Sequence, residues 1–336
     1  MSDIEQTAKM LVAPGKGLLA ADESFSTIEK RFESLGIPLT QATRLSYREL
    51  LFTPAGIENF LSGVILFDET LRQKTTQGKL FVEVLEERGI IPGIKVDEGL
   101  ERLPGSPNEK ITKGLPGLEG RLKEYKNLGA RFTKWRCVFV IGDGLPSQNA
   151  INKNAEVLTN YCLLSQRVGL TPIPEPEVLM DGNHSIEKCR QVSTLVLKTV
   201  FLSLKKGNVS LEGILLKTNM VLPGRDNPKR ATPNEVAAAT IEALKASVPP
   251  EVTGIVFLSG GQAPKEATAN LNAINYNEEC PWELSFSFSR ALQQPVLETW
   301  QGKEENIAKT QSIFYKRARL NSLARDGHYT PEMENE

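Results

Sequence analysis

Lys217 closes the apolar run Ile214-Leu215-Leu216, a setting in which an ammonium loses part of its hydration. Desolvation and neighbouring cations lower a lysine pKa from its ordinary value of about 10.4, which makes neutral amine available near neutral pH. Such an amine adds to a carbonyl and, on losing water, leaves a Schiff base. The competing reading is a strand-end lysine whose head reaches solvent. A second cation bears on the choice. In Phe132-Thr133-Lys134-Trp135-Arg136, Lys134 and Arg136 are two apart and share one face of a strand. Facing inward, they demand carboxylates or a bound phosphate; facing outward, they would pair with carboxylates of flanking helices. Trp135 and Cys137 suit the helix-facing side better, which favours inward cations.

Asp22, Glu175 and Glu177 are the matching acids. Glu175 and Glu177 flank Pro176 and share one strand face, so both can point at a common centre. One carboxylate could shuttle protons for carbinolamine dehydration and imine hydrolysis, and Asp22 could take the proton released when a carbon–carbon bond breaks. Plain ion pairing with Lys134 and Lys217 needs the same geometry, and the sequence leaves both readings open. Ser259-Gly260-Gly261 and Ser287-Phe288-Ser289-Arg290 are a different kind of signal. Glycine lets backbone N–H groups approach anionic oxygens, and arginine adds a bidentate contact, so together they suggest a phosphate cradle. A Ser-Gly-Gly turn alone is more often only a turn.

These residues need elements to aim them. Short apolar, β-branched runs predict strands at 17–24, 62–68, 90–96, 130–139, 170–178, 211–218, 253–261 and 284–289. Their starts are spaced by about 30 to 45 residues, the size of a βα unit. Helical periodicity fills 149–168, 186–206 and 234–247, the last opening on the helix-start signal Thr-Pro-Asn-Glu. Eight such units predict an α/β fold, a single-domain (β/α)₈ TIM barrel over residues 1–326. An open doubly wound sheet is the alternative, but no G-x-G-x-x-G follows any strand. In a barrel the chemistry stands at the C-terminal strand ends, where Asp22, Lys95, Lys134, Arg136, Glu175, Glu177, Lys217, Ser259 and Arg290 all fall. Residues 103–116 read as a long loop, and residues 327–336 as a flexible acidic tail.

Composition narrows the function classes. Among 336 residues, 40 basic side chains face 41 acidic ones, so the net charge is −1 and neither nucleic acid nor an anionic membrane is an expected partner. The N-terminal residues lack a secretory apolar region, and no run approaches the length of a membrane span. Four dispersed cysteines without a CxxC pair fit free thiols in a reducing cytoplasm. With only His184 and His328, the chain has too few imidazoles for the usual zinc centre, so no metal is expected.

Taken in order, the blocks APGKGLLAADES, GVILFDETL, GIKVDEG, KWRCV, PEPEVL, GILLKTNMVLPG, VTGIVFLSGGQ, NLNAIN and SRALQ resemble the class I fructose-bisphosphate aldolases, from about Val12 to Pro331. The resemblance implies a glycolytic, homotetrameric barrel enzyme that needs no metal or other cofactor. Its reaction would be the reversible cleavage of fructose 1,6-bisphosphate into dihydroxyacetone phosphate and glyceraldehyde 3-phosphate. It implies that Lys217 is the Schiff-base lysine and Glu175 the acid/base, with Glu177 beside it. Asp22 would handle the C4 hydroxyl and Lys134 would orient it. Ser259, Gly260, Gly261, Ser287 and Arg290 match the pocket for the ketose 1-phosphate; Arg31, Lys95, Arg136 and Ser24 match positions near the other phosphate.

Three departures from the animal pattern stand out. Phe25-Ser26-Thr27 replaces Thr-Gly-Ser, Ser289 replaces a glycine, and Met333-Glu334-Asn335-Glu336 stands where animal and plant members end in a tyrosine. Another group, or water, is therefore expected to protonate the enamine. A related lyase favouring fructose 1-phosphate or sedoheptulose 1,7-bisphosphate is the nearest rival reading. A non-catalytic sugar-phosphate scaffold is disfavoured because Lys217, Glu175 and Asp22 are all present.

Overall fold

The computed structural model describes residues 2–276 and 280–336. Eight parallel strands alternate with helices: β1 (Gly17–Ala21), β2 (Leu61–Leu66), β3 (Ile91–Lys95), β4 (Phe132–Phe139), β5 (Thr171–Val178), β6 (Leu215–Asn219), β7 (Gly254–Leu258) and β8 (Glu283–Phe288). Backbone pairing runs β5-β4-β3-β2-β1-β8-β7-β6, so the first strand meets the eighth and the sheet curls into the expected (β/α)₈ barrel. Every predicted strand is present, most with trimmed ends. The largest shift is at β6, where Leu211–Gly213 make a 3-10 turn before the strand begins. The three predicted helices are Gln148–Val168, Ile186–Lys206 and Pro233–Lys245. Ser147, Ser185 and Thr232 start them by accepting N–H groups of the first turn, from Ala150, Lys188 and Glu235.

Period-two alternation decides what each strand sends inward. Leu18, Ala20, Ile65, Ile91, Phe132, Ile173, Leu215 and Val256 form one buried cluster inside the barrel. Two residues further along the same faces come Asp22, Lys134, Glu175 and Lys217. Each of these strands thus enters the barrel with an apolar side chain and leaves it with a charged one. Helix α1 (Asp3–Leu11) plugs the opposite mouth, adding Ala8, Leu11 and, just past its end, Val12 to the cluster. Room for the plug comes from Gly63 and Gly254, where a Cβ would lie 2.7 Å from Leu11 and 2.9 Å from Val12. The outward residues, among them Leu19, Ile94, Trp135, Cys137, Leu216 and Phe257, pack in the larger cluster under the helices.

The seam between β5 and β6 is built differently. Thr171 and Leu179 donate their N–H groups toward β4, to Arg131 and Phe139 carbonyls, so the even-numbered residues face β6. Those positions hold Pro172, Pro174 and Pro176, which have no N–H to give. No backbone ladder between these strands is present among the described residues. Side chains bridge instead: Asn219 Oδ1 accepts from Val178 N at 2.9 Å, and Thr218 Oγ1 donates to Pro176 O at 3.3 Å.

Two regions refine the reading of the sequence. The stretch expected to be a loop at 103–116 is largely the second arm of an antiparallel hairpin, Leu100–Leu103 with Ser106–Thr112, turning through Gly105 at φ +81°. Its turn-forming residues, Pro104, Gly105, Pro107 and Asn108, hid the strand, which has no apolar alternation to announce it. Residues 327–336 include a 3-10 turn, Pro331–Asn335, laid against the helix Ile307–Arg325. Arg317 pairs with Glu334 at 2.5 Å, Arg319 with Glu336 at 2.5 Å, and Lys316 Nζ donates to the Glu334 carbonyl at 2.6 Å. The acids that make the tail polar are the groups that fasten it.

Candidate active site

At the C-terminal mouth, four charged groups form a continuous line. Lys217 Nζ lies 3.2 Å from Glu175 Oε1; the other Glu175 oxygen is 3.0 Å from Lys134 Nζ, and Lys134 reaches Asp22 Oδ2 at 2.7 Å. All four side chains are buried. Burial pushes the Asp22 carboxyl up, but Lys134 and then Lys217 outweigh it and hold Asp22 well below the usual carboxylate range. Glu175 is likewise raised by burial and lowered by Lys134, Lys217 and Arg136, with a net downward shift. Lys134 loses from desolvation and gains more from Asp22 and Glu175, so it stays an ammonium. Two ionised carboxylates and an ammonium thus stand in this line, with the Glu175 carboxylate beside Lys217.

These groups line a cavity of about 990 Å³. Around its wall stand Ser24, Arg31, Lys95, Arg136, Glu177, Ser259, Gly260, Ser287 and Arg290, which brings thirteen of the fourteen sequence-predicted residues together. Gly261 lies just behind the wall, at φ +90°, where a Cβ would meet the Arg290 guanidinium at 3.0 Å. Glu177 does not reach Lys217's partner line; it binds Arg136 Nε at 2.5 Å. Lys95 is held by the Asp97 carboxylate at 2.7 Å. Ser287 is the informative one on the cradle side, since its hydroxyl is buried yet has no hydrogen-bond partner among the described residues. An orphaned hydroxyl costs stability unless a ligand satisfies it.

Other nucleophiles are poorly placed. Burial pushes the Cys137 thiol up to about 12 and raises Cys162 and Cys189 as well, so none offers thiolate at neutral pH. Among the described residues no group of three or more His, Cys, Asp or Glu side chains could hold a metal ion, and no helix is long and apolar enough to cross a membrane.

The model of one protein family, fructose-bisphosphate aldolase class-I, matches residues 3–336. The chain belongs to that family. It is similar to the cytosolic fructose-bisphosphate aldolase 5 of Arabidopsis thaliana, with 53% identity over 98% of this chain and 92% of that protein. A probable class 1 fructose-bisphosphate aldolase of Xanthomonas campestris is 48% identical over 98% of this chain and 99% of its own length. Among solved structures, the fructose-bisphosphate aldolase of Plasmodium falciparum, crystallised with TRAP and a small-molecule inhibitor, superposes with a TM-score of 0.96 at 49% identity. That match covers 98% of this chain and 95% of the other. The chain is therefore a lyase that cleaves fructose 1,6-bisphosphate.

The wall of the aldolase pocket is also braced by an ionic clasp that the sequence did not announce. Glu23 is clasped by Arg31 at 2.7 Å and by Arg48 at 2.9 Å, while Ser289 and Gln293 each donate to it at 2.8 Å. Arg31 also donates to Ser289 Oγ at 3.1 Å, so the serine that replaces a glycine is tied into the clasp. Arg48 comes from helix α2, Gln41–Phe52, where it is buried beside Tyr47, Leu51 and Phe52. An arginine on an apolar helix stripe was the available signal. Ser24 begins the preceding helix, Phe25–Glu33, and its hydroxyl lies 3.1 Å from those of Ser26 and Thr27.

Proposed function

We propose that Lys217 attacks the C2 carbonyl of the ketose bisphosphate and carries the substrate as a Schiff base. The observation that supports this most is the Glu175 carboxylate bridging two lysines, 3.2 Å from Lys217 and 3.0 Å from Lys134. Glu175 takes the ammonium proton of Lys217 and frees the amine. It then returns a proton to the carbinolamine hydroxyl, which leaves as water. Asp22 accepts the C4 hydroxyl proton as the C3–C4 bond breaks, and Lys134 keeps Asp22 ionised and oriented. The electron pair of that bond flows into the iminium, giving an enamine on Lys217; glyceraldehyde 3-phosphate departs. Water delivers a proton to the enamine carbon, Asp22 returns its proton to solvent, and hydrolysis of the imine releases dihydroxyacetone phosphate and restores Lys217.

Glu177 holds Arg136 in place. The 1-phosphate is assigned to Ser259, Gly260, Gly261, Ser287 and Arg290, where the unpartnered Ser287 hydroxyl supplies a donor. The 6-phosphate is assigned to Lys95, Arg136, Arg31 and Ser24. No metal or cofactor takes part in these steps, and cleavage is expected to persist in excess EDTA. A cytoplasmic location, supported by the cytosolic names of two relatives, completes the reading, and the homotetramer rests on the family resemblance alone. Borohydride added with dihydroxyacetone phosphate should label Lys217 irreversibly, and Lys217→Ala should abolish both label and cleavage. Label recovered on Lys95 or Lys134 would refute the assignment.

A further inference from the structure

Arg225 belongs to none of the motifs that carry the family resemblance's site roles. It stands in the loop after β6, and its backbone N donates to Met180 O at 2.7 Å, which joins that loop to the one after β5. A Cβ built on Gly261 would lie 2.8 Å from Arg225 Nη2 and 3.0 Å from Arg290 Nη2. The two guanidinium nitrogens are thus no farther apart than those distances together, and they converge on one glycine of the Ser-Gly-Gly turn. Like charges this close repel unless an anion lies between them. The carboxylate nearest Arg225 is Asp181, at 3.9 Å and itself largely exposed. Arg290 makes no ion pair with a carboxylate among the described residues. Its guanidinium is held below its ordinary pKa first by burial and then by Arg31 and Arg225, the opposite of what a neutralised arginine shows.

We infer that Arg225 is a second phosphate-binding arginine, which closes with Arg290 over the 1-phosphate of the substrate. The inference deepens the phosphate assignment made above and rests on it. Gly261 makes the arrangement possible, because a side chain there would collide with both guanidinium groups. Arg225 reaches the phosphate from the solvent side, as its exposure requires. It therefore tunes affinity for a C1-phosphorylated ketose rather than the chemistry at C2. A charge-assisted contact is weaker when half exposed than when buried, so its loss should weaken phosphate binding about fivefold to tenfold.

The test compares Arg225→Ala, Arg225→Lys and Asp181→Asn in the full chain. Inorganic phosphate and dihydroxyacetone phosphate, each carrying one phosphoryl group, are the probes. In Arg225→Ala, the Ki of inorganic phosphate and the KM for fructose 1,6-bisphosphate should both rise about fivefold to tenfold with kcat within twofold. Arg225→Lys should recover part of the loss, and Asp181→Asn should leave binding as tight as in the parent enzyme or tighter. Unchanged phosphate Ki in Arg225→Ala overturns the inference, as does an equal loss in Asp181→Asn, which would mark the ion pair as structural. A fall in kcat at constant KM overturns it too. Failure of borohydride trapping at Lys217 would strike the catalytic assignment alone, because inorganic phosphate binding reads Arg225 without any imine.

Discussion

Replacing Glu175 by glutamine keeps the side chain's shape and removes the charge that bridges two lysines. At an effective dielectric of about 20, a unit charge 3.2 Å from Lys217 and 3.0 Å from Lys134 interacts with each by about 5 kcal/mol before desolvation is counted. The amide cannot accept the ammonium proton or return one to the carbinolamine. General acid–base assistance of this kind is worth about 10²–10⁴-fold, so kcat should fall about a thousandfold. Binding responds in the opposite sense. The pocket gains one net positive charge beside Lys134 and Arg136, and so KM for the bisphosphate should hold or fall. Rapid-quench borohydride trapping with dihydroxyacetone phosphate reads imine formation directly, and circular dichroism checks the fold. Trapping at the parent rate would refute the role given to Glu175. A raised KM with kcat intact would reassign Glu175 to binding.

The remaining predictions concern the cradle and the clasp. Ser287→Ala deletes a buried hydroxyl that lacks a partner among the described residues, so stability should hold or rise while KM for fructose 1-phosphate rises severalfold. A large loss of stability with unchanged KM would contradict the ligand reading. Glu23 is pushed up by burial but held by Arg31 and then Arg48 below its ordinary value of 4.5. A depressed folded pKa gives stability that is present above the unfolded value and lost as pH falls through the folded one. Glu23→Gln should therefore cost about 3 kcal/mol at neutral pH, as breaking a buried pair does. In urea titrations its deficit should shrink once the pH drops below about 4, the range in which an unfolded glutamate protonates. A deficit independent of pH would place the defect in packing.

The chemistry was legible where strand periodicity governs it. Lys134, Glu175 and Lys217 each stand two residues beyond an inward apolar side chain, so alternation and the barrel's polarity locate them without knowledge of their neighbours. The Glu23 clasp was not legible, because it joins a strand end to Arg48, 25 positions away on a helix. Nothing local announces such a pair beyond an arginine on an apolar stripe. Arg225 escaped for a similar reason: its neighbours are Gly261, in the loop after β7, and Arg290, at the start of the helix after β8, and only closure of the barrel brings them together. The hairpin near residue 106 was hidden because its turn-forming residues carry little apolar alternation.

The prolines of β5 have a consequence for how the chain assembles. Ribosomal synthesis delivers β1–β5 before β6–β8, and an intermediate holding the first five strands has β5 as its leading edge. An uncovered edge is ordinarily a template for pairing with any passing strand, and nascent chains crowd together. With Pro172, Pro174 and Pro176 on that edge, a stray strand meets three missing donors and cannot form a continuous ladder. The native partner needs no ladder, because Asn219 and Thr218 bring their own side-chain bonds to Val178 and Pro176. The half-built barrel is thus guarded against the wrong neighbour by the same residues that carry Glu175 to its place.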